Sequence, residues 1–225
     1  VTFLGTCVVS NNIIKNLRQN TASATATLHS GIKITNTTVG AMEIRVFNNS
    51  ISGITSAYNG IATATRIIRG INCVSTSNNT AVYSIYNNSV SIDGSGSLNG
   101  SNTCFEVAGT LATAPRYDVR NNIFANFTAA QTGLNVRHNC YNTNSSTLLG
   151  GTGTTVNQND MYIANDAGVS GFIGWNTSLL VGFNPVATFN AAFATQVTAA
   201  NVSGDPLFFN NNSNLHATND VLLNG

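Results

Sequence analysis

Val46-Phe47-Asn48-Asn49-Ser50-Ile51 and Ile85-Tyr86-Asn87-Asn88-Ser89-Val90 share one pattern: an apolar residue two before an asparagine pair and another two after it. The same pattern stands at Val9-Ser10-Asn11-Asn12-Ile13-Ile14 and at Val119-Arg120-Asn121-Asn122-Ile123-Phe124, so the four copies follow one another at 37, 39 and 34 residues. A degenerate copy, Val136-Arg137-His138-Asn139-Cys140-Tyr141, comes 17 residues after the fourth, about half the earlier step. A short period and its double are what a coiled backbone gives when some turns lose the motif. The spacing therefore predicts a solenoid with about 17–20 residues per turn. Asparagine supplies 35 of 225 residues, so the pairs alone carry little information. Their flanks decide, because three copies carry a further apolar residue at Leu17, Ile54 or Phe127.

Between the copies lie Ile32-Lys33-Ile34, Ile67-Ile68-Arg69-Gly70-Ile71, Cys104-Phe105-Glu106-Val107 and Leu134-Asn135-Val136. They are short, β-branched and bounded by Gly, Ser, Thr and Asn, so they read as strands. About ten turns stacked at the strand spacing would make a rod of roughly 45–50 Å. The asparagine pair suits the bend between strand faces, since Asn tolerates the left-handed backbone region. An inward Asn stacked on its copy one turn away forms a side-chain amide ladder, and a buried amide left unpaired costs about 1–3 kcal/mol. Expected ladder members are Asn11, Asn12, Asn48, Asn49, Asn87, Asn88, Asn121, Asn122 and Asn139, with His138 in place of a further Asn. The alternative is that the pairs are exposed loop residues.

Charged residues are only 8% and the net charge is +1, with Lys and Arg scattered singly. No basic stripe suggests nucleic acid, and no apolar run is long enough to span a membrane. The hydrophobic content of 42% argues against disorder. The surface is expected to be solvated by amides and hydroxyls, as in secreted β-solenoids. Cys7, Cys73, Cys104 and Cys140 fit no metal spacing, so they are either candidate disulfide cysteines of unknown pairing or apolar fillers of the coil. No metal or cofactor is expected.

Residues 1–142 read as regular coils, 143–183 as a loop excursion with irregular coils, and 184–225 as a short helix, a last rung and a cap. The helix is expected around Val186, Phe189 and Phe193, capped by Asn184 or Thr188, and the last turn at 202–209 with 214–216. The chain enters its repeat almost at Val1, which reads as a piece of a larger exported protein.

Cys104-Phe105, then Tyr117 to Phe124, Asn139-Cys140-Tyr141, and the closing run from Phe189 through Gly204-Asp205-Pro206-Leu207-Phe208 to Asn214-Leu215-His216 carry a family likeness. In these stretches the chain resembles the right-handed parallel β-helix repeat proteins exported to the cell surface by Bacteroidetes and their relatives. The resemblance implies a right-handed coil, export by a type IX-like route and placement in a large surface protein. It supplies no catalytic residues.

Hydrolysis of a polysaccharide needs two neighbouring carboxylates, and calcium-assisted elimination needs several acids with a base. The acids here are Glu43, Asp93, Glu106, Asp118, Asp160, Asp166, Asp205 and Asp220, none adjacent. Stacking could still bring Glu106 beside Asp93 or Asp118. Tyr58, Tyr83, Tyr86 and Trp175 are candidates for stacking on sugar rings. The sequence therefore reads as an all-β, single right-handed parallel β-helix with a C-terminal cap containing a short helix. The expected role is a non-catalytic extracellular or cell-surface module: a scaffold, adhesin or filament segment. The alternative is a carbohydrate-binding or polysaccharide-degrading β-helix. Partners would be further copies of itself end to end, other surface proteins or glycans, with no nucleic acid.

Overall fold

Alternation on either side of each asparagine pair builds two strands joined by a tight corner. Ile44 and Val46 point inward and are buried, while Glu43, Arg45 and Phe47 face out. A third strand completes each turn. The computed structural model describes residues 5–18, 28–37, 40–58, 63–75, 80–93, 100–109, 115–128, 136–143, 153–164, 170–206, 208–210 and 214–217.

The first turn holds β1 (Thr6–Ser10), β2 (Ile13–Lys15) and β3 (His29–Asn36), and the second β4 (Glu43–Phe47), β5 (Ser50–Ser52) and β6 (Thr63–Ser75). The third holds β7 (Val82–Tyr86), β8 (Ser89–Ile92) and β9 (Gly100–Gly109), and the fourth β10 (Arg116–Arg120), β11 (Ile123–Asn126) and β12 (His138–Thr143). The fifth holds β13 (Thr155–Asn157), β14 (Asp160–Ile163) and β15 (Gly171–Asn176). Then come β16 (Val181–Phe183), α1 (Val186–Ala192), β17 (Phe208–Asn210) and β18 (Asn214–Ala217).

Like strands stack into three sheets. The first runs β1-β4-β7-β10-β13, the second β2-β5-β8-β11-β14, and the third β3-β6-β9-β12-β15 with β16 at its edge. All neighbours are parallel except β15–β16. The expected parallel solenoid is present. Its turn length is not the expected one: Cys7 pairs with Ile44, Ile44 with Tyr83, and Tyr83 with Tyr117, so one turn takes 34–39 residues there. The half-period step to Val136 is not a turn, because His138–Thr143 belongs to the third sheet of the fourth turn. Five rungs at the strand spacing are about 20 Å deep, less than half the expected rod.

Nor is the stretch after 143 an excursion throughout. Thr155–Asn157, Asp160–Ile163 and Gly171–Asn176 form the fifth rung in register with the fourth. Gln158 stands where the other rungs carry their first Asn, which hides this copy from a search for Asn-Asn. Residues 144–152, part of the expected loop excursion, lie outside the described residues, as do Leu134 and Asn135.

Apolar side chains from all three sheets fill the coil. Tyr83 stacks on Tyr117 at 4.7 Å, and Phe105 on Phe124 at 5.7 Å. In the third sheet a Cβ on Gly70 would overlap the Val90 side chain and Cys104 O, so only glycine fits. At the C-terminal end α1 covers the core: Phe189 is fully buried against Tyr141 and Phe193. The helix begins after Pro185, which makes no side-chain cap bond, so neither Asn184 nor Thr188 caps it as expected. Val202 bridges Asp160 and begins a further rung, but β17 and β18 do not complete it. They pair antiparallel as a hairpin lying against β5 and β8 of the second sheet. Among the described residues no helix is long and apolar enough to cross a membrane.

Candidate functional site: an asparagine corner and a polar outer face

The two asparagines of each pair do different work. Asn11, Asn48, Asn87 and Asn121 have φ of 55–57° and are exposed, and Gln158 has φ 54°. They make the bend from the first sheet to the second, where a short polar side chain tolerates the left-handed backbone. The second asparagine turns inward. Asn12 donates Nδ2 to Asn49 Oδ1 at 2.9 Å, Asn49 to Asn88 at 2.9 Å, Asn88 to Asn122 at 3.0 Å and Asn122 to Asn159 at 2.9 Å. Asn159 then donates to Asn201 at 2.9 Å, and Asn201 to Asn190 of α1 at 3.0 Å. Of the nine expected ladder residues, Asn12, Asn49, Asn88 and Asn122 are members. Asn11, Asn48, Asn87 and Asn121 are corner residues instead, because one residue must supply the positive φ that lets the next point inward.

Each internal amide is fully engaged. Asn88 Oδ1 accepts both the backbone N–H of Asn49 at 3.1 Å and its Nδ2 at 2.9 Å. Asn88 Nδ2 also reaches Val46 O at 2.9 Å and Tyr86 O at 3.1 Å. The side chain thus ties three successive rungs together. Asn190 closes the ladder reciprocally, accepting from Asn201 Nδ2 and donating to Asn201 O at 2.9 Å. Asn159, Asn190 and Asn201 escape a search for pairs; the weaker pattern apolar-x-polar-Asn finds Asn159.

Asn139 is the last expected member, and it is elsewhere. It lies in β12 beside Thr103 and Phe172, buried, with neither amide atom hydrogen-bonded among the described residues. His138 pairs with Asn102 and Gly171 in the same sheet and is likewise no ladder member. Its Nδ1 is 3.5 Å from Ser170 Oγ.

The outer face of the third sheet carries a second set of polar contacts. Glu106 lies between the core residues Phe105 and Val107, so the pleat turns it outward. It accepts from Arg69 Nε, and both side chains are nearly inaccessible. Asn142, one rung on, donates to Glu106 at 3.4 Å and accepts from Thr177 Oγ1 at 3.1 Å. At the fifth rung Phe172 and Trp175 lie 5.0 Å apart, and the Arg137 guanidinium sits over both rings at 5.9 and 5.1 Å.

Glu106 does not meet Asp118, a pairing that stacking could have made. Its neighbours in the sheet are Asn72 and Asn142, whereas Asp118 is on the first sheet, paired with Arg120 at 2.9 Å and Thr155 at 2.9 Å. With turns of this length, residues a dozen apart fall on different sheets instead of stacking. Asp160 beside the corner is buried, which pushes its carboxyl up to about 6 although Gly204 N–H donates to it. Among the described residues no three His, Cys, Asp or Glu are grouped to hold a metal ion.

The cysteines are free thiols, resolving the disulfide alternative toward filler for three of them: Cys73, Cys104 and Cys140 are buried, and Cys7 is exposed. Cys104 Sγ donates to Ala125 O and Cys140 Sγ to Phe124 O. Burial raises the Cys73 and Cys140 thiols far above their ordinary range, which leaves them poorly nucleophilic. Of the aromatic candidates, Tyr58 and Tyr83 are core residues, and Tyr86 stacks on Phe47 along the coil at 5.1 Å. Trp175 alone belongs to the polar outer face. An open groove of about 420 Å³ follows the corner, lined by Asn87, Asn88, Ser89, Asn121, Ile123 and Gln158. Comparison with known proteins finds no family model, no curated protein and no solved structure that matches this chain.

Proposed function

We propose that the chain is a non-catalytic extracellular structural module, a rigid segment of a surface scaffold, adhesin or filament. The observation that carries this reading is the amide ladder, unbroken from Asn12 to Asn201 and closed on Asn190. A device that locks every turn to the next serves stiffness along the axis. Of three acids paired with arginines, Glu106 joins β9 to Arg69 of β6, while Glu43 with Arg45 and Asp118 with Arg120 pair within single strands. The extracellular placement rests on the low-charge composition and on the resemblance drawn from the sequence. Negative-stain imaging of the native assembly tests it: rods or filaments containing this chain are expected. Release of reducing ends or unsaturated sugars from a polysaccharide by the purified chain would overturn the reading.

One arrangement favours a second role. Arg137 over Phe172 and Trp175 offers aromatic faces beside a cation, the chemistry that engages a sugar ring. A glycan array probed with the chain and with Trp175→Ala tests this carbohydrate-binding alternative; signal lost in the variant supports it.

A further inference from the structure

We propose that the outer face of the third sheet around Arg137 and Asn139 binds an anionic saccharide, with its ring against Trp175, its oxyanion on the Arg137 guanidinium and its hydroxyls on the Asn139 amide. The inference rests on the carbohydrate-binding reading of this face and names the class of sugar.

Unspent hydrogen-bonding capacity gathers here. Among the described residues eight buried side-chain N and O atoms lack a hydrogen-bond partner, and three of them are Arg137 Nε, Asn139 Nδ2 and Asn139 Oδ1. A fourth, Asn72 Oδ1, belongs to the residue in register with Glu106 on the same face. Asn139 stands in register with Phe172, the ring that Arg137 covers. Its column also holds Arg69, whose side chain reaches Glu106 on the outer face. A buried donor or acceptor with nothing to bond is destabilising, so such atoms in one place point to a ligand that supplies the partners.

Charge sets the sign of that ligand. Arg45, Arg69 and Arg120 are each paired with an acid, whereas among the described residues no carboxylate pairs with Arg137. The Arg137 guanidinium is held in place, with Nη1 donating to Val136 O at 2.7 Å and its carbon 5.9 and 5.1 Å from the Phe172 and Trp175 ring centres. Ring contact occupies its flat side and leaves the N–H edge, Nε included, for a carboxylate or sulfate. Glu106 does not oppose an incoming anion, because Arg69 neutralises it.

Asn139 narrows the class further. Its amide offers both a donor and an acceptor, and a simple anion, which only accepts, leaves Oδ1 unpaired. A sugar hydroxyl both donates and accepts, and a sugar ring brings an apolar face to Trp175. An acidic sugar meets all three demands at once.

The test is calorimetric titration of the intact chain with a galacturonate hexasaccharide, the same hexasaccharide fully methyl-esterified, and a chondroitin sulfate hexasaccharide. At least one acidic probe should bind roughly tenfold tighter than the ester, the worth of one charge-assisted hydrogen bond. Arg137→Met should bring that probe level with the ester. Asn139→Ala should weaken it about fivefold while the melting temperature stays level or rises, because the amide has no partner to lose in the free chain. Equal binding of the acidic probes and the ester by the parent chain would overturn the proposal and leave the carbohydrate reading standing. Binding of none of the three would overturn both. A preference for acid that survives Arg137→Met, or a melt lowered by Asn139→Ala, would also overturn the assignment, since the anion would then sit elsewhere or the amide would be structural.

Discussion

The corner between the first and second sheets and the outer face of the third sheet are built by the same strands, yet they follow opposite rules. At the corner each side chain's partner is its own copy one rung away. Asn88 must present a donor to Asn122 and an acceptor to Asn49, and only another asparagine meets both demands at that geometry. Repetition there is a consequence of hydrogen bonding. On the third sheet the equivalent column reads Ser30, Arg69, Thr103, Asn139 and Phe172, five different residues in register. Their partners are drawn from neighbouring columns, as when Arg69 reaches Glu106. Self-complementary positions stay uniform, and the others are free to diversify into chemistry.

The sharpest way to break this contrast is to interrupt the ladder. Asn88→Ala takes the acceptor from the Asn49 backbone N–H and removes one donor each from Asn122 Oδ1, Val46 O and Tyr86 O. It should cost roughly 4 kcal/mol in urea unfolding, above the roughly 1–3 kcal/mol of one unsatisfied buried group because several bonds are lost together. A loss below about 1 kcal/mol would mean the ladder is ornamental.

The third face should yield differently. Arg69→Met strands the Glu106 carboxylate and should cost about 3 kcal/mol. Arg69→Met combined with Glu106→Leu should return to within about 1 kcal/mol of the parent, because a column without self-pairing accepts an apolar replacement. If the double variant stays as unstable as the single one, the two regions obey one rule after all.

Asp160 sharpens the comparison at the corner's flank. Its folded carboxyl titrates at about 6, above its unfolded value, so the folded state binds the extra proton. The stabilising contribution is fully present below the unfolded value near 4 and is lost as pH rises through about 6. Asp160→Asn should therefore gain about 1–2 kcal/mol at pH 8 and nothing at pH 4, read from thermal melts across pH. Equal gains at both pH values would remove titration as the cause.

The smallest effect belongs to the exposed member of the pair. Asn87 holds φ 56°, so Asn87→Gly should lie within about 0.5 kcal/mol of the parent, while Asn87→Ala should cost about 1 kcal/mol for the left-handed backbone. The ratio of Asn88→Ala to Asn87→Ala measures ladder against corner within one dipeptide.

What the sequence made legible follows the same division. The coil and the ladder were readable because the motif is tied to its own copies. The turn length was misread because Asn139 mimics the motif from another sheet, where an apolar flank and an asparagine arise without the positive-φ corner. The fifth rung was missed because Gln158 serves as well as Asn at the bend, where the side chain reaches solvent. The short helix was legible from Phe189 and Phe193, but its union with Asn201 was not, since that bond depends on the helix folding back over the last rung. The polar face was the least legible. Arg69 and Glu106 lie 37 residues apart and carry no local pattern that announces their pairing.

From Asn12 to Asn201 every rung of the ladder joins residues 34–42 positions apart along the chain, and the closing bond to Asn190 spans 11. No turn can collect those bonds alone, because each must first close a long loop and then find its neighbour already wound. Winding is thus expected to be slow to start and rapid once two turns are registered. The closed C-terminal turn, with its helix lid in place, is the natural seed from which the remaining turns are laid down one after another.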